Sequence, residues 1–356
     1  MRLLALMLAA CDSGVVDDSA LVPVPADALV DLVSPADPVE PDAEADAYAA
    51  LEECFGALVG GSDVSLPRYE QFEPTIASHC NGTDHQDIEG IERVVFLGDS
   101  VTVGTPPTLP SDFYRSILAD GLAAEFGIEP PSFLWEQVNP FDGTAVVRES
   151  GAFASCAEWG ARAEDLLREG TQLEDCFPPA SRGVNTLVVM TVGGNDLSSL
   201  TTGFTEGRSH EELWAETHAF MADVREAVAW LEEPGRFPAG ISIIFTDLYE
   251  FTDATGDTTS CPAAALAGFD EPVTDPALPE MVVWAMEEFM SIAVDSDSDM
   301  LFLLEQFCGH GYHRDDPDSV CYRGPDAELW FDATCIHPNP AGHAVIADMF
   351  LDVVRE

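Results

Sequence analysis

An alternation between short apolar runs and longer amphipathic segments is the feature that most constrains this chain. Aliphatic and β-branched runs bounded by turn residues lie at 94–97, 186–192, 241–246 and 300–304. Amphipathic segments lie at 111–126, 157–168, 210–232, 278–293 and 341–354. Strands that are apolar throughout are buried on both faces, as in parallel sheets covered by helices. The pattern predicts an α/β fold, a three-layer doubly wound parallel sheet.

Two polar motifs follow the first two predicted strands. The sequence GDS occupies 98–100, and GGND occupies 193–196. Ligands of doubly wound sheets bind at the carboxyl ends of the strands, so we expect both motifs at one binding edge. A serine after a strand is more commonly a turn or cap residue, and Ser100 alone does not decide between a turn and a nucleophile.

Four motifs in order carry a family resemblance. They are GDS, then CAEWGARAEDLL at 156–167, GGND, and DATCIHPNPAGH at 332–343. Their order and contents resemble the SGNH (GDSL-type) hydrolase family over roughly residues 91–354. The resemblance implies a flavodoxin-like α/β fold and hydrolysis of carboxylic esters, acyl or acetyl, through a serine acyl-enzyme. It implies Ser100 as nucleophile, His337 as base, and an oxyanion hole of the Ser100 N–H, the Gly160 N–H and the Asn195 side-chain amide.

These residue types suit acyl transfer. A serine hydroxyl is a weak nucleophile and needs a base within hydrogen-bond reach, which His337 would supply. The tetrahedral intermediate needs donors directed at its oxyanion. No metal or organic cofactor is required for such chemistry, and the sequence contains no phosphate-binding glycine loop.

Two assignments stay open at this stage. Gly160 is preferred over Gly151 because GARAEDLL continues into a helical pattern, where a backbone N–H at the helix start would be free. The family has an acid three residues before the histidine, but Thr334 stands there in this chain. Asp332, five residues before His337, is the preferred acid to orient the imidazole. A Ser-His dyad oriented by a backbone carbonyl, such as that of Thr334, is the alternative.

The amino-terminal segment MRLLALMLAAC indicates export. Leu8-Ala9-Ala10-Cys11 resembles the lipobox of bacterial lipoproteins, which implies a signal peptide over 1–10 and lipidation of Cys11. An ordinary secretion signal or a misplaced start codon are the alternatives. Residues 11–47 are rich in Asp, Pro and Ala and are predicted to be a disordered tether. The hydrolase domain is predicted over 48–356, with 48–90 as an amino-terminal extension.

Cysteine usage supports this interpretation. Eight cysteines remain besides Cys11, an even number that predicts four disulfides in an oxidising compartment. No pair has the Cys-x-x-Cys spacing of a zinc site. Cys54 with Cys80, and Cys156 with Cys176, are plausible local pairs. We therefore predict a protein anchored by lipid to the bacterial cell envelope, periplasmic or at the cell surface, or else secreted.

A net charge of −51 limits the partners. It would repel nucleic acids and anionic lipid headgroups, so contact with a membrane is expected only through the lipid anchor. A monomer acting on a small-molecule or polysaccharide ester is expected, with neutral esters favoured over anionic ones. The electric field of this negative charge should favour the imidazolium form of His337 and so raise its pKa.

Two other functions fit the same residues. An acyltransferase would use the same site with an alcohol in place of water. A non-catalytic surface binding lipoprotein would keep the scaffold without the chemistry, since fold does not guarantee activity. His343 is expected to open and cap the last helix, and Asp99 to hold the turn that presents Ser100.

Overall fold

The computed structural model describes residues 85–167, 171–261, 263–266, 269 and 271–356. The predicted signal peptide, the tether and residues 48–84 of the predicted extension lie outside the described residues. So do Cys11, Cys54 and Cys80, and their predicted lipidation and pairing stay predictions.

The sheet has six strands in the order β4-β5-β1-β6-β7-β8. The strands are β1 (Arg93–Gly98), β4 (Glu149–Ser150), β5 (Phe153–Ser155), β6 (Thr186–Thr191), β7 (Ile241–Thr246) and β8 (Asp299–Leu301), and a separate hairpin pairs β2 (Val138–Asn139) with β3 (Thr144–Ala145). Five strands are parallel, and only β4 runs antiparallel, at the edge. Counting the parallel strands alone, the order is 2-1-3-4-5, the flavodoxin-like arrangement, and its switch point lies between β1 and β6.

Both faces of the sheet are buried. Along β1, Val95 and Leu97 join one apolar cluster, and Val94 and Phe96 join the other. Helices α7 and α8 pack on the first face, and α2 and α10 on the second. This alternation, with every residue of β1 buried, confirms the predicted three-layer α/β fold.

The helices begin and end close to most predicted bounds. They are α1 (Ser100–Val103), α2 (Tyr114–Phe126), α3 (Phe133–Glu136), α4 (Glu164–Leu167), α5 (Gln172–Cys176), α6 (Gly194–Thr205), α7 (His210–Glu232), α8 (Ala277–Asp295), α9 (Leu303–Phe307) and α10 (Pro340–Val354). None of the helices in the described ranges is long and apolar enough to cross a membrane. The helix predicted over 157–168 is wrong in its start, because α4 begins only at Glu164. Helix α6 and strands β4 and β5 were not predicted.

Three disulfides link the described loops. Cys156 is bonded to Cys176, as the local spacing predicted. The other two pairs are Cys261–Cys335 and Cys308–Cys321. These bonds indicate maturation in an oxidising, exported environment.

Candidate active site

Ser100 is the first residue of α1, directly after β1. Gly98 makes the sharp exit possible: its φ is +124°, and a Cβ there would lie 1.8 Å from the main-chain oxygen of Thr191. Only glycine fits that conformation and that approach. Asp99 then caps α1, because its Oδ1 accepts a hydrogen bond from the Val101 N–H at 2.9 Å. The predicted turn-holding role of Asp99 is confirmed.

Gln172 stabilises the turn at the end of β1, and the sequence did not predict this role. Its Nε2 donates to the Gly98 oxygen and its Oε1 accepts from the Gly98 N–H, both at 2.9 Å. Gln172 is buried, and the backbone ahead of Ser100 is thereby held by a two-point contact. A lone glutamine in GTQLEDC carries no sequence signal for such a role.

His337 lies against Ser100 although 237 residues separate them in sequence. The distance from His337 Nε2 to Ser100 Oγ is 2.9 Å, and both residues are buried. Burial lowers the pKa of His337 to about 4. The expectation that the protein's negative charge raises this pKa is therefore wrong, since desolvation outweighs the distant charges.

Thr334 lies behind the imidazole, between His337 and Asp332. Thr334 Oγ1 is 2.8 Å from His337 Nδ1 and donates to Asp332 Oδ1 at 2.5 Å. Asp332 Oδ1 also accepts the Thr334 N–H at 2.8 Å. Asp332 thus reaches the histidine through a hydroxyl and not directly. The contact at Nδ1 is also not the backbone carbonyl of the alternative hypothesis.

The segment 331–338 that carries these groups is a closed loop. Phe331 bridges Pro338, and the Asp332 N–H donates to the His337 oxygen at 2.9 Å. Cys335 adopts the left-handed conformation, with φ +78°. This turn accommodates the two extra residues between Asp332 and His337 relative to the family spacing.

Two tyrosines and a disulfide hold the loop from outside. The Tyr249 hydroxyl donates to the Ile336 oxygen at 2.8 Å, and the Tyr312 hydroxyl donates to the Asp332 oxygen at 2.6 Å. Cys335 is bonded to Cys261. Residues from three separate segments of the chain therefore fix the position of the imidazole and of its hydrogen-bond partners.

Two of the predicted oxyanion residues, Asn195 and Gly160, lie on chain segments that are joined by a hydrogen bond. Asn195, the second residue of α6, donates its Nδ2 to the Ala161 oxygen at 2.8 Å, which leaves one N–H on that nitrogen. Gly160 directly precedes Ala161, in a turn with φ +78°. Gly160 follows the carboxyl end of β5, the edge where Ser100 lies, whereas Gly151 precedes β5 at the opposite edge. The geometry favours Gly160, although as part of a turn and not as the helix start that was predicted.

Asp196 anchors the segment that follows Gly160. Its Oδ2 accepts the Ala163 N–H at 3.2 Å from a buried position. Burial raises the pKa of Asp196 to about 7, and burial likewise raises that of Asp99 to about 7. The Val101 N–H at Asp99, and the Ala163 N–H and the charge of Arg162 at Asp196, offset only part of this desolvation.

A cavity of about 620 Å³ opens beside Ser100. Ser100, Asn195 and His337 all line it, and Gly160 is not among the described residues that do. Most of its wall is apolar, with Leu197, Leu248, Phe251, Phe269, Val282, Leu304 and Ile336 among the lining residues. Such a cavity suits an apolar group attached to the reacting centre.

Charged residues at this cavity are acidic. Asp99, Asp247, Glu250 and Asp275 line it, and no Lys or Arg occurs among the described lining residues. Asp247 lies close to the buried Glu305, and burial raises the pKa of both carboxyl groups. Within the described ranges, no group of three or more His, Cys, Asp or Glu is arranged to hold a metal ion.

The role expected for His343 is wrong. Asn339 caps α10, with its Oδ1 accepting from the Ala341 and Gly342 N–H groups. His343 is buried inside the helix, and its Nδ1 accepts the Tyr114 N–H at 3.2 Å, at the start of α2. This hydrogen bond joins α10 to α2 and does not involve Ser100 or His337.

Comparisons with known proteins give only distant structural likenesses. No family model and no curated protein matches the chain. A gut microbial diltiazem-metabolizing enzyme is similar at 14% identity and a TM-score of 0.44, over 76% of this chain and 49% of that one. An extracellular lipase from Streptomyces rimosus is similar at 18% identity and a TM-score of 0.39, over 74% of this chain and 98% of that one. The chain thus spans about half the length of the first protein.

Proposed function

We propose that the protein is a carboxylic ester hydrolase of the SGNH type, with Ser100 as nucleophile and His337 as general base and then acid. The observation that carries the proposal is the 2.9 Å contact between Ser100 Oγ and His337 Nε2 at the wall of an apolar cavity. The low pKa of His337, about 4, supports it, because the imidazole is then neutral and able to accept a proton at ordinary pH.

In this mechanism Ser100 Oγ attacks the ester carbonyl carbon while its proton moves to His337 Nε2. The oxyanion receives hydrogen bonds from the free N–H of Asn195 Nδ2, the Ser100 N–H and the Gly160 N–H. The carbonyl re-forms as the carbon–oxygen bond to the alcohol breaks, and the alcohol leaves with the proton from Nε2. Water then attacks the acyl-enzyme with His337 again as base, and Ser100 is regenerated.

The proposal is tested by labelling with a fluorophosphonate and by turnover of p-nitrophenyl butyrate. Stoichiometric modification at Ser100, with turnover lost in Ser100→Ala and in His337→Ala, is the expected result. Thr202→Val, at a half-buried position of α6 that does not line the cavity, serves as a control that should leave both readouts intact. A folded wild-type protein that is neither labelled nor active would instead favour a binding protein on this scaffold.

A further inference from the structure

The hydroxyl of Thr334 lies against the side of the His337 imidazole that faces away from Ser100. In this chain the carboxylate that would orient the histidine is two residues further away than in the family pattern, and Thr334 Oγ1 lies between Asp332 Oδ1 and His337 Nδ1. Three consecutive hydrogen bonds join Ser100, His337, Thr334 and Asp332.

The order of protons along these bonds follows from the chemistry of each group. An ionised Asp332 can only accept, so the Thr334 hydroxyl must donate its single proton to Oδ1. Thr334 Oγ1 can then only accept from His337, which places the ring proton on Nδ1. Nε2 is left without a proton and accepts from Ser100. The reverse order, with Thr334 donating to Nδ1, would put a proton on Nε2 and block the base.

The negative charge of Asp332 is not needed to form the turn. Its Oδ1 accepts both the Thr334 N–H and the Thr334 hydroxyl, a pattern that the amide oxygen of an asparagine would reproduce. The other oxygen, Oδ2, is buried without a hydrogen-bond partner among the described residues. A carboxylate held in this way is costly to the fold, and an uncharged residue would form the same turn at less cost.

We propose, on the basis of the proposed function, that Thr334 is a positioning residue that links Asp332 to His337 and fixes the imidazole in the tautomer that can activate Ser100. Asp332 acts only through this hydroxyl. The negative charge behind Thr334 stabilises the imidazolium that forms when Ser100 gives up its proton.

The test is a double-mutant cycle on Thr334 and Asp332. Thr334→Val keeps the shape of the side chain and removes the hydroxyl, and we expect it to lower kcat and the rate of fluorophosphonate labelling of Ser100 by about 10- to 100-fold, with little change in KM. Thr334→Ser restores the hydroxyl and should remain within about 3-fold of wild type. Asp332→Asn keeps the turn and removes the charge, with an expected loss of about 10-fold.

Combining Asp332→Asn with Thr334→Val should reproduce the rate of Thr334→Val to within about 2-fold, because the Asp332 side chain is linked to the imidazole by hydrogen bonds through Thr334 Oγ1. Thr202→Val, whose hydroxyl donates to the Ser198 oxygen, is the matched control for the loss of a threonine hydroxyl. The free energy of unfolding of each variant, measured in urea, distinguishes a folding defect from a catalytic one.

The inference would be overturned if folded Thr334→Val were labelled at the wild-type rate, or if Thr334→Ser were as slow as Thr334→Val. It would also be overturned if the rate of the double variant were reduced by the product of the two single-variant reductions. The proposed function itself fails differently, because Ser100 of the wild-type protein would then resist labelling altogether.

Discussion

The disulfide between Cys261 and Cys335 joins the segment that follows β7 to the loop that carries His337, across 74 residues of sequence. Cys335 lies two residues before the histidine and one after Thr334, so the bond acts directly on the geometry of the candidate site. We expect the Cys261→Ser/Cys335→Ser double variant to lose about 2 to 4 kcal/mol of unfolding free energy, because the cross-link restricts the unfolded chain. It should also lose kcat at temperatures well below its unfolding transition.

The two effects are separable by urea unfolding and by ester turnover at 15 °C, where the variant stays folded. An unchanged kcat in a destabilised variant would mean that the bond constrains only the unfolded chain, and that Tyr249 and Tyr312 hold the loop without it.

Burial moves the pKa values of the site in opposite directions, with His337 lowered to about 4 and Asp332 raised to about 6. Activity requires a neutral His337 and is favoured by an ionised Asp332. On acidification, kcat/KM for a neutral ester should fall in two stages, partially near pH 6 and completely below about pH 4. Profiles of the wild-type protein and of Asp332→Asn, recorded from about pH 3 to 9, check this. The upper stage should be absent from the variant, and a single fall near pH 6.5 in both proteins would contradict it.

The raised pKa of Asp196 predicts that stability falls as the pH rises from acidic to neutral values. Its folded-state pKa of about 7 lies above the unfolded value of about 3.9. The folded state therefore holds the proton more tightly, and the stability that this confers is full below the unfolded pKa and is lost as the pH rises through 7. Asp196→Asn can still accept the Ala163 N–H, and we expect it to lose less unfolding free energy than wild type between pH 5 and pH 9.

Urea unfolding at the two pH values measures the difference for Asp196→Asn. Asp348→Asn on the exposed side of α10 is the matched control and should follow the wild-type dependence. Identical losses in all three proteins would show that Asp196 does not titrate in this range.

The apolar cavity of about 620 Å³ predicts a preference for longer acyl groups over acetate. Each methylene that enters the cavity contributes about 0.8 kcal/mol, so kcat/KM for p-nitrophenyl esters should rise about fourfold per carbon until the cavity is filled. Val282→Trp at the cavity wall should shift the optimum to shorter chains and spare the acetate rate. A series that is flat from acetate to octanoate would exclude binding of the acyl group in this cavity.

Acidic residues at the same cavity predict discrimination against anionic esters. A hemisuccinate ester would bring a carboxylate into a cavity lined by the ionised Asp275, and no Lys or Arg among the described lining residues offsets the repulsion. Its kcat/KM should be lower than that of the uncharged pentanoate ester of the same alcohol, and the ratio should approach one as salt screens the charges. If the ratio of the two kcat/KM values does not change with salt concentration, the difference between the esters is due to desolvation or to shape and not to charge repulsion.

Much of the architecture was predictable because it depends on residue patterns. Runs such as 186–192 are apolar throughout, and that alone indicates a strand covered on both faces. Strand β5 escaped prediction because Phe153–Ser155 is too short to show a period. Helix α6 escaped because GNDLSSLTTGFT is rich in poor helix formers, and packing against α7 and α8 stabilises it.

Within the site, the sequence predicted that Ser100 and Asn195 lie at one edge of the sheet, because they follow β1 and β6, which are neighbouring strands. The pairing of Thr334 with His337 was not predictable, because it depends on the left-handed turn at Cys335 and on the disulfide that joins this residue to Cys261. Neither the turn nor the partner of a cysteine can be deduced from spacing alone.

The separation of 237 residues between Ser100 and His337 also has a consequence in time. During synthesis, β1 and Ser100 emerge long before the loop that brings the histidine, and that loop gains its covalent link to Cys261 only when Cys335 is oxidised. On the proposed mechanism, Ser100 is an ordinary alcohol until then, and the reactive group comes into being as one of the last events of maturation.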